Sequence, residues 1–151
     1  ETGGWELSGS IQLASWLALG GGYSKLEGEF DSDDDNEPDS DLGARDIGPD
    51  RLSLSLDITP AGRFSGSVQA FTFFDKSFHN AVGAETANFD GYTSVDAVIA
   101  ADLDDTTVSL SISNLFDEQY ITYFGQAATT ADSLYYAGRG RTVTLRAATV
   151  F

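Results

Sequence analysis

Apolar and polar residues alternate with a period of two in seven stretches of this chain. In the first, Trp5, Leu7, Gly9, Ile11 and Leu13 stand against Glu6, Ser8, Ser10 and Gln12; Leu17, Leu19, Gly21 and Tyr23 form the apolar set of the second. Leu52, Leu54, Leu56 and Ile58 oppose Ser53, Ser55 and Asp57. Phe64, Val68, Ala70, Thr72 and Phe74 oppose Ser65, Ser67, Gln69, Phe71 and Phe73. Val95, Ala97, Ile99, Ala101 and Leu103 then oppose Ser94, Asp96, Val98, Ala100 and Asp102, and Val108, Leu110 and Ile112 oppose three serines. The last stretch sets Val143, Leu145, Ala147, Thr149 and Phe151 against Thr142, Thr144, Arg146, Ala148 and Val150. Successive side chains of a strand point to opposite faces, so this period predicts strands, and no stretch has helical spacing. The chain is predicted to be all-β.

The connections choose among β architectures. Short turns fall near 15–16, 59–62 and 104–105, and long loops near 31–49, 79–91 and 116–138. They alternate strictly, which collects the short turns at one end and the long loops at the other. That asymmetry predicts an antiparallel transmembrane β-barrel with short periplasmic turns and long extracellular loops. A soluble barrel or sandwich burying the same residues is the competing reading. The apolar face suits hydrocarbon and the Ser, Thr, Gln and Asp face suits a wet lumen, to which Asp96, Asp102 and Arg146 are assigned. Aromatic residues near the strand ends, with Trp5, Tyr23, Phe74 and Tyr92 on the loop side and Trp16, Phe64 and Phe151 on the turn side, are read as two interfacial girdles. Seven strands leave two unpaired edges, which a bilayer does not tolerate. Residues 1–151 are therefore expected to be the C-terminal segment of a larger barrel, and a chain starting on Glu1 without any Met reads as a fragment or processed product.

Charge narrows the function. The 151 residues hold 8 basic against 24 acidic side chains, a net charge of −16, which excludes a nucleic-acid partner that must be neutralised by Lys and Arg. Without cysteine there is neither disulfide nor thiolate metal site. The acidic run Asp31–Asp41 invites a calcium reading, yet Asn36 and Leu42 stand where a calcium-binding helix–loop–helix needs Gly and Glu. It is read as a solvated loop, and no metal is expected. Asp75, Ser77 and His79 share a strand face about 7 Å apart per step, too far for a base to meet a nucleophile. No enzyme activity is expected, and no cofactor.

The ending carries a resemblance. "SNLFDEQYITYFGQ" (113–126) and "YYAGRGRTVTLRAATVF" (135–151) resemble the C-terminus of TonB-dependent outer-membrane receptors, of the ferric-siderophore type. Asn114-Leu115-Phe116-Asp117 matches the element that ends the penultimate strand, and Gly140-Arg141-Thr142 the opening of the last. Pro49-Asp50-Arg51 before alternating leucines is similar to a late strand of that family. The resemblance implies a 22-stranded barrel with an N-terminal plug, of which this chain forms about seven strands. It implies active uptake of a scarce nutrient, with a small iron chelate as the expected ligand. The implied partners are outer-membrane lipid and lipopolysaccharide, the N-terminal barrel and plug of the same receptor, TonB acting through the plug, and the barrel-assembly machinery, for which Phe151 is the signal. Arg146 is expected to pair with Asp96, Asp102 or a plug carboxylate. Tyr120, Tyr123, Phe124, Tyr135 and Tyr136, followed by Arg139 and Arg141, are the candidate ligand contacts, with His79 as a further loop-end candidate. The same aromatics also suit an interfacial girdle. The alternative functions are a structural or adhesive barrel without transport and a soluble β-barrel binding protein.

Overall fold

The structure, a computed structural model, describes residues 1–126 and 136–150. Tyr135 and Phe151 lie outside the described residues, so the ligand role expected of one and the assembly signal expected of the other are not addressed by the geometry. Ten strands and one short helix follow in chain order: β1 (Thr2–Ala14), β2 (Leu17–Phe30), β3 (Ser40–Asp41), β4 (Arg51–Ile58), β5 (Phe64–Phe73), β6 (Lys76–His79), β7 (Glu85–Phe89), β8 (Tyr92–Leu103), β9 (Thr106–Ser113), α1 (Tyr123–Gln126) and β10 (Thr142–Thr149). The main sheet has the order β1-β2-β4-β5-β8-β9-β10 with every pairing antiparallel. Two-residue β3 adds to the loop end of β2, and β6 and β7 form a separate hairpin.

Register turns the alternation along each strand into continuous faces, because residues directly opposite in an antiparallel pair share a side of the sheet. One row across the sheet runs Ser8, Gly22, Ser53, Phe71, Ser94. The adjacent row of the other face runs Leu7, Tyr23, Leu52, Thr72, Thr93. Arg146 lies opposite Ser109 on the polar side, and Asp96 lies opposite Gln69.

The apolar face has no protein covering it. Leu7 is 69% exposed, Ile11 58% and Leu145 73%, while the buried apolar residues among those described are Ala44, Ile47, Phe78 and Phe89, all at the loop end. This sheet is therefore a wall without a core of its own, as expected where lipid covers one side and a lumen the other. Trp5 and Tyr23 have ring centroids 5.0 Å apart and Tyr23 and Phe74 6.0 Å apart, an aromatic cluster at the loop end of the apolar face.

Tyr92 does not belong to that cluster. It pairs with Phe73 and therefore faces the polar side, as the pleat requires of a residue two before Ser94. The spans read as loops carry structure too. Within 79–91, the hairpin β6–β7 closes at a turn where the Asn80 side-chain oxygen accepts from the Val82 and Ala84 N–H groups. Within 31–49, the Asp31 carboxylate accepts from the N–H groups of Asp33, Asp35 and Asn36, folding the acidic run into an ordered turn. Asp31, Asp33 and Asp35 converge there, but the first carboxylate is already occupied by backbone donors.

The Asn114–Asp117 element ties the last two main strands together. Asn114 is 3% exposed and in the left-handed region (φ 51°), which lets the chain leave β9 sharply. Its amide nitrogen donates to the carbonyls of Glu118 (2.9 Å) and Arg139 (3.1 Å), and its oxygen accepts from Glu118 N–H (2.8 Å). Asp117 accepts from Arg141 N–H at 2.8 Å, one residue before β10 begins. The Asn and Asp of the sequence motif thus fix where β10 starts.

Two comparisons test these assignments. In the whole barrel folded into phospholipid vesicles, Leu54→Arg puts a charge on the lipid face near mid-strand and costs about 2–4 kcal/mol. Ser55→Arg, one residue on and facing the lumen, costs far less; equal costs in a denaturant titration would refute the assignment of faces. Asn114→Ala leaves buried carbonyls unpaired and costs about 2–3 kcal/mol, with Asn114→Asp nearly as damaging because both donors are lost. Heat-dependent gel migration reads both, and a wild-type transition in either variant would show that the knot does not hold β10.

Candidate functional site

Described segments of the three long connections pack on one another above the polar face. Ala44, Ile47 and Phe78 form a buried cluster with Leu42, Ala87 and Tyr123 against it. Polar staples join the same segments. The Lys76 ammonium donates to the carbonyls of Leu26 (2.7 Å) and Gly48 (3.2 Å), and burial pushes its pKa down against the upward pull of Asp50, Glu27 and Asp41. Gln126 accepts from Asp90 N–H (2.9 Å) and donates to the carbonyls of Asp90 (3.0 Å) and Ile121 (2.8 Å). Tyr123 donates its hydroxyl to the Ile47 carbonyl. Burial, with the nearby Asp46 charge, pushes the Tyr123 phenol up to about 12.

A chain of rings descends from these loops onto the sheet. Phe124 meets Tyr123 at 5.9 Å, Tyr123 meets Phe89 at 5.0 Å edge-on, and Phe89 meets Tyr92 at 6.2 Å. Tyr92 stacks on Tyr120 at 3.9 Å and lies 5.0 Å from Phe73. Beside this chain opens a cleft of about 800 Å³ whose lining includes Arg45, Arg51, Phe73, Tyr92, Tyr123 and Phe124. That size accommodates a small-molecule ligand. Lys25 joins the two arginines on the wall, and Glu6 and Asp46 are the acidic members. Among the described residues the ion pairs are Lys25–Glu27, Arg63–Asp104, His79–Asp41 and Arg141–Asp117. Neither Arg45 nor Arg51 takes part in one, so two guanidiniums face the cleft without a carboxylate partner.

The candidates read from the sequence are distributed unevenly around this cleft. Tyr123 and Phe124 line it. Tyr120 lies behind Tyr92 and lines a neighbouring cavity with Gly138, which has no room for a side chain beside the Tyr120 ring. Tyr136 is 63% exposed and offers its backbone carbonyl to Thr122. His79 sits apart, its N–H donating to Asp41 at 2.6 Å and its Nδ1 3.5 Å from the same carboxylate. The expected pairing of Arg146 with Asp96 or Asp102 is absent from the described residues. Asp96 accepts from Asn114 N–H (2.9 Å), Asp102 accepts from the Thr107 hydroxyl (2.7 Å), and Arg146 stays exposed on edge strand β10. Arg45, Arg51, Phe73 and Tyr92 were missed as site residues. Parity with Ser53 and Ser55 was enough to place Arg51 on the polar face, but no local signal marks Arg45 within an acidic loop.

No family model matches the chain. Over 92 residues, 56% of this chain, it is 41% identical to the ferric aerobactin receptor of Escherichia coli and, equally, to that of Klebsiella pneumoniae. The chain spans 12% of the length of these curated relatives. Its fold matches the copper transporter OprC with a TM-score of 0.73 at 18% identity, covering 97% of this chain and 22% of that one. It matches the FrpB iron transporter from Neisseria meningitidis (F3-3 variant) with a TM-score of 0.68 at 18% identity, covering 97% of this chain and 23% of that one.

Tyr123 supplies a pH test of the loop packing. A phenol pKa raised from 10.0 to about 12 means that the folded state favours the protonated hydroxyl. The contribution of Tyr123 to loop stability is then fully present below pH 10 and is lost as pH rises towards about 12. An ultraviolet phenolate titration of the folded protein should show a late-ionising tyrosine that disappears in Tyr123→Phe. Unchanged titration curves would contradict its burial beneath the loops.

Proposed function

We propose that this chain is part of a TonB-dependent outer-membrane transporter, and that the protein containing it takes up a ferric siderophore by active transport. The 41% identity to ferric aerobactin receptors carries the reading. The cleft supports it independently of that likeness. An anionic iron chelate is matched by guanidiniums that form no ion pair among the described residues, and its organic framework is matched by aromatic faces. In this reading the long loops face the exterior, the cleft captures the chelate there, and TonB works through the plug. The chelate is cargo, and the chain's own residues bind and orient it.

Cells whose only receptor is the full-length protein are the test. Under iron restriction they should accumulate radiolabelled iron from ferric aerobactin with saturation, and lose that accumulation when TonB is deleted. Binding without TonB-dependent accumulation would favour a structural or adhesive barrel instead.

A further inference from the structure

Building on that uptake reading, we infer that Arg51 is the residue that carries an anionic chelate from the mouth cleft into the lumen, whereas Arg45 serves capture only. The inference comes from position. Arg51 is the first residue of β4, and its row across the polar face runs Glu6, Ser24, Arg51, Phe73, Tyr92. That row separates two clefts. Above it lies the cleft already described, which Arg45 and Arg51 share with Tyr123 and Phe124. Below it lies a second concavity on the sheet itself, lined by Ser53, Ser55, Gln69 and Phe71 together with Arg51. Arg51 belongs to both linings, as do Glu6 and Ser24 of its row, and it is the one cation that does; Arg45 belongs to the upper lining alone.

The neighbours of Arg51 reinforce the assignment. Phe73 stands directly opposite it on β5, and Phe71 lies one row lower on the same face. An aromatic side chain thus stands on the Arg51 row, at Phe73, and another, Phe71, in the lower concavity. Charge is arranged around the same point. Glu6 lies in the Arg51 row but two strands away, roughly 9–10 Å at ordinary strand spacing. Asp46 lines only the upper cleft, Lys25 lines it as well, and Asp57 lies further down β4. None of these acids forms an ion pair with Arg51 among the described residues. A guanidinium left unpaired between two connected clefts, with a fork of donors and a long stem, can hold a carboxylate or other anionic group at either level.

The test separates capture from passage. The full-length receptor is expressed with Arg51→Ala, Arg51→Lys or Arg45→Ala, using ferric aerobactin as probe. Binding is read by quenching of intrinsic fluorescence and transport by uptake of labelled iron at saturation. Arg45→Ala should weaken binding about ten-fold, the effect of losing one charge-assisted contact, and leave maximal uptake near wild type. Arg51→Ala should weaken binding no more than Arg45→Ala does and, unlike it, lower maximal uptake about ten-fold, by the same contact energy, with Arg51→Lys recovering most of the rate. Loss of affinity with unchanged maximal uptake in Arg51→Ala would make it a second capture residue and overturn the inference, as would unchanged binding and uptake. A wild-type receptor that neither binds nor imports the probe would instead overturn the ferric-chelate reading, and the role of Arg51 in chelate passage with it.

Discussion

A strand that crosses hydrocarbon has to pair every backbone N–H and C=O with another strand, because lipid offers no substitute for water as a hydrogen-bonding partner. That demand makes register the quantity on which everything else here depends. Once β1, β2, β4, β5, β8, β9 and β10 are joined in one antiparallel order, the position of each residue along its strand decides whether it meets lipid or lumen. A slip of one residue would turn Leu52, Leu54 and Leu56 inward and present Ser53, Ser55 and Asp57 to hydrocarbon. The serine and glycine rows of the polar face and the leucine rows of the apolar face are thus two consequences of one pairing pattern. The sheet needs no core of its own, and its apolar side chains are exposed in the isolated chain because their packing partner is the bilayer.

Above the membrane the constraint is reversed. Loop backbone can be solvated there, so order has to come from side chains. Ile47, Phe78 and Ala44 bury one another, Phe89 closes against Tyr123, and Lys76 and Gln126 satisfy carbonyls from segments far apart in sequence. The result is a set of loops that hold one another over the polar face, and the cleft exists because they do. Tyr123 shows the dependence most directly. Its ring packs on Phe89, its hydroxyl reaches Ile47, and its other side forms part of the cleft wall.

Most of the wall was legible in the sequence because period-two alternation is a local property, visible without knowing any partner. The faces of Asp96, Asp102 and Arg146 followed from parity alone. Tyr92 was misplaced because its nearness to a strand end was weighed above its parity with Ser94, and the pleat obeys parity. The β6–β7 hairpin was harder to see: four- and five-residue strands with Phe78 and Phe89 as their buried residues give too short a period to stand out beside a long loop. Arg45 lies beyond local inference. It sits between Asp41 and Asp46, and only the packing of Leu42, Ala44 and Ile47 with Phe78 and Tyr123 brings Arg45 to the cleft.

For the anionic ligand proposed, the charge distribution of this chain makes recognition local. A net charge of −16 repels an anionic ligand at long range, and the Asp31–Asp41 turn puts much of that charge on the loops. Salt screens such repulsion beyond about 8–10 Å. Inside that distance Arg45 and Arg51, which form no ion pair among the described residues, stand beside Glu6 and Asp46 on the cleft wall, while Lys25 is paired with Glu27. An acidic exterior with two arginines that form no ion pair among the described residues, set beside aromatic faces, therefore gives little attraction to polyanions in general. In the proposed reading, it reserves its attraction for a compact anion small enough to enter the cleft and bring its charge within reach of the arginines.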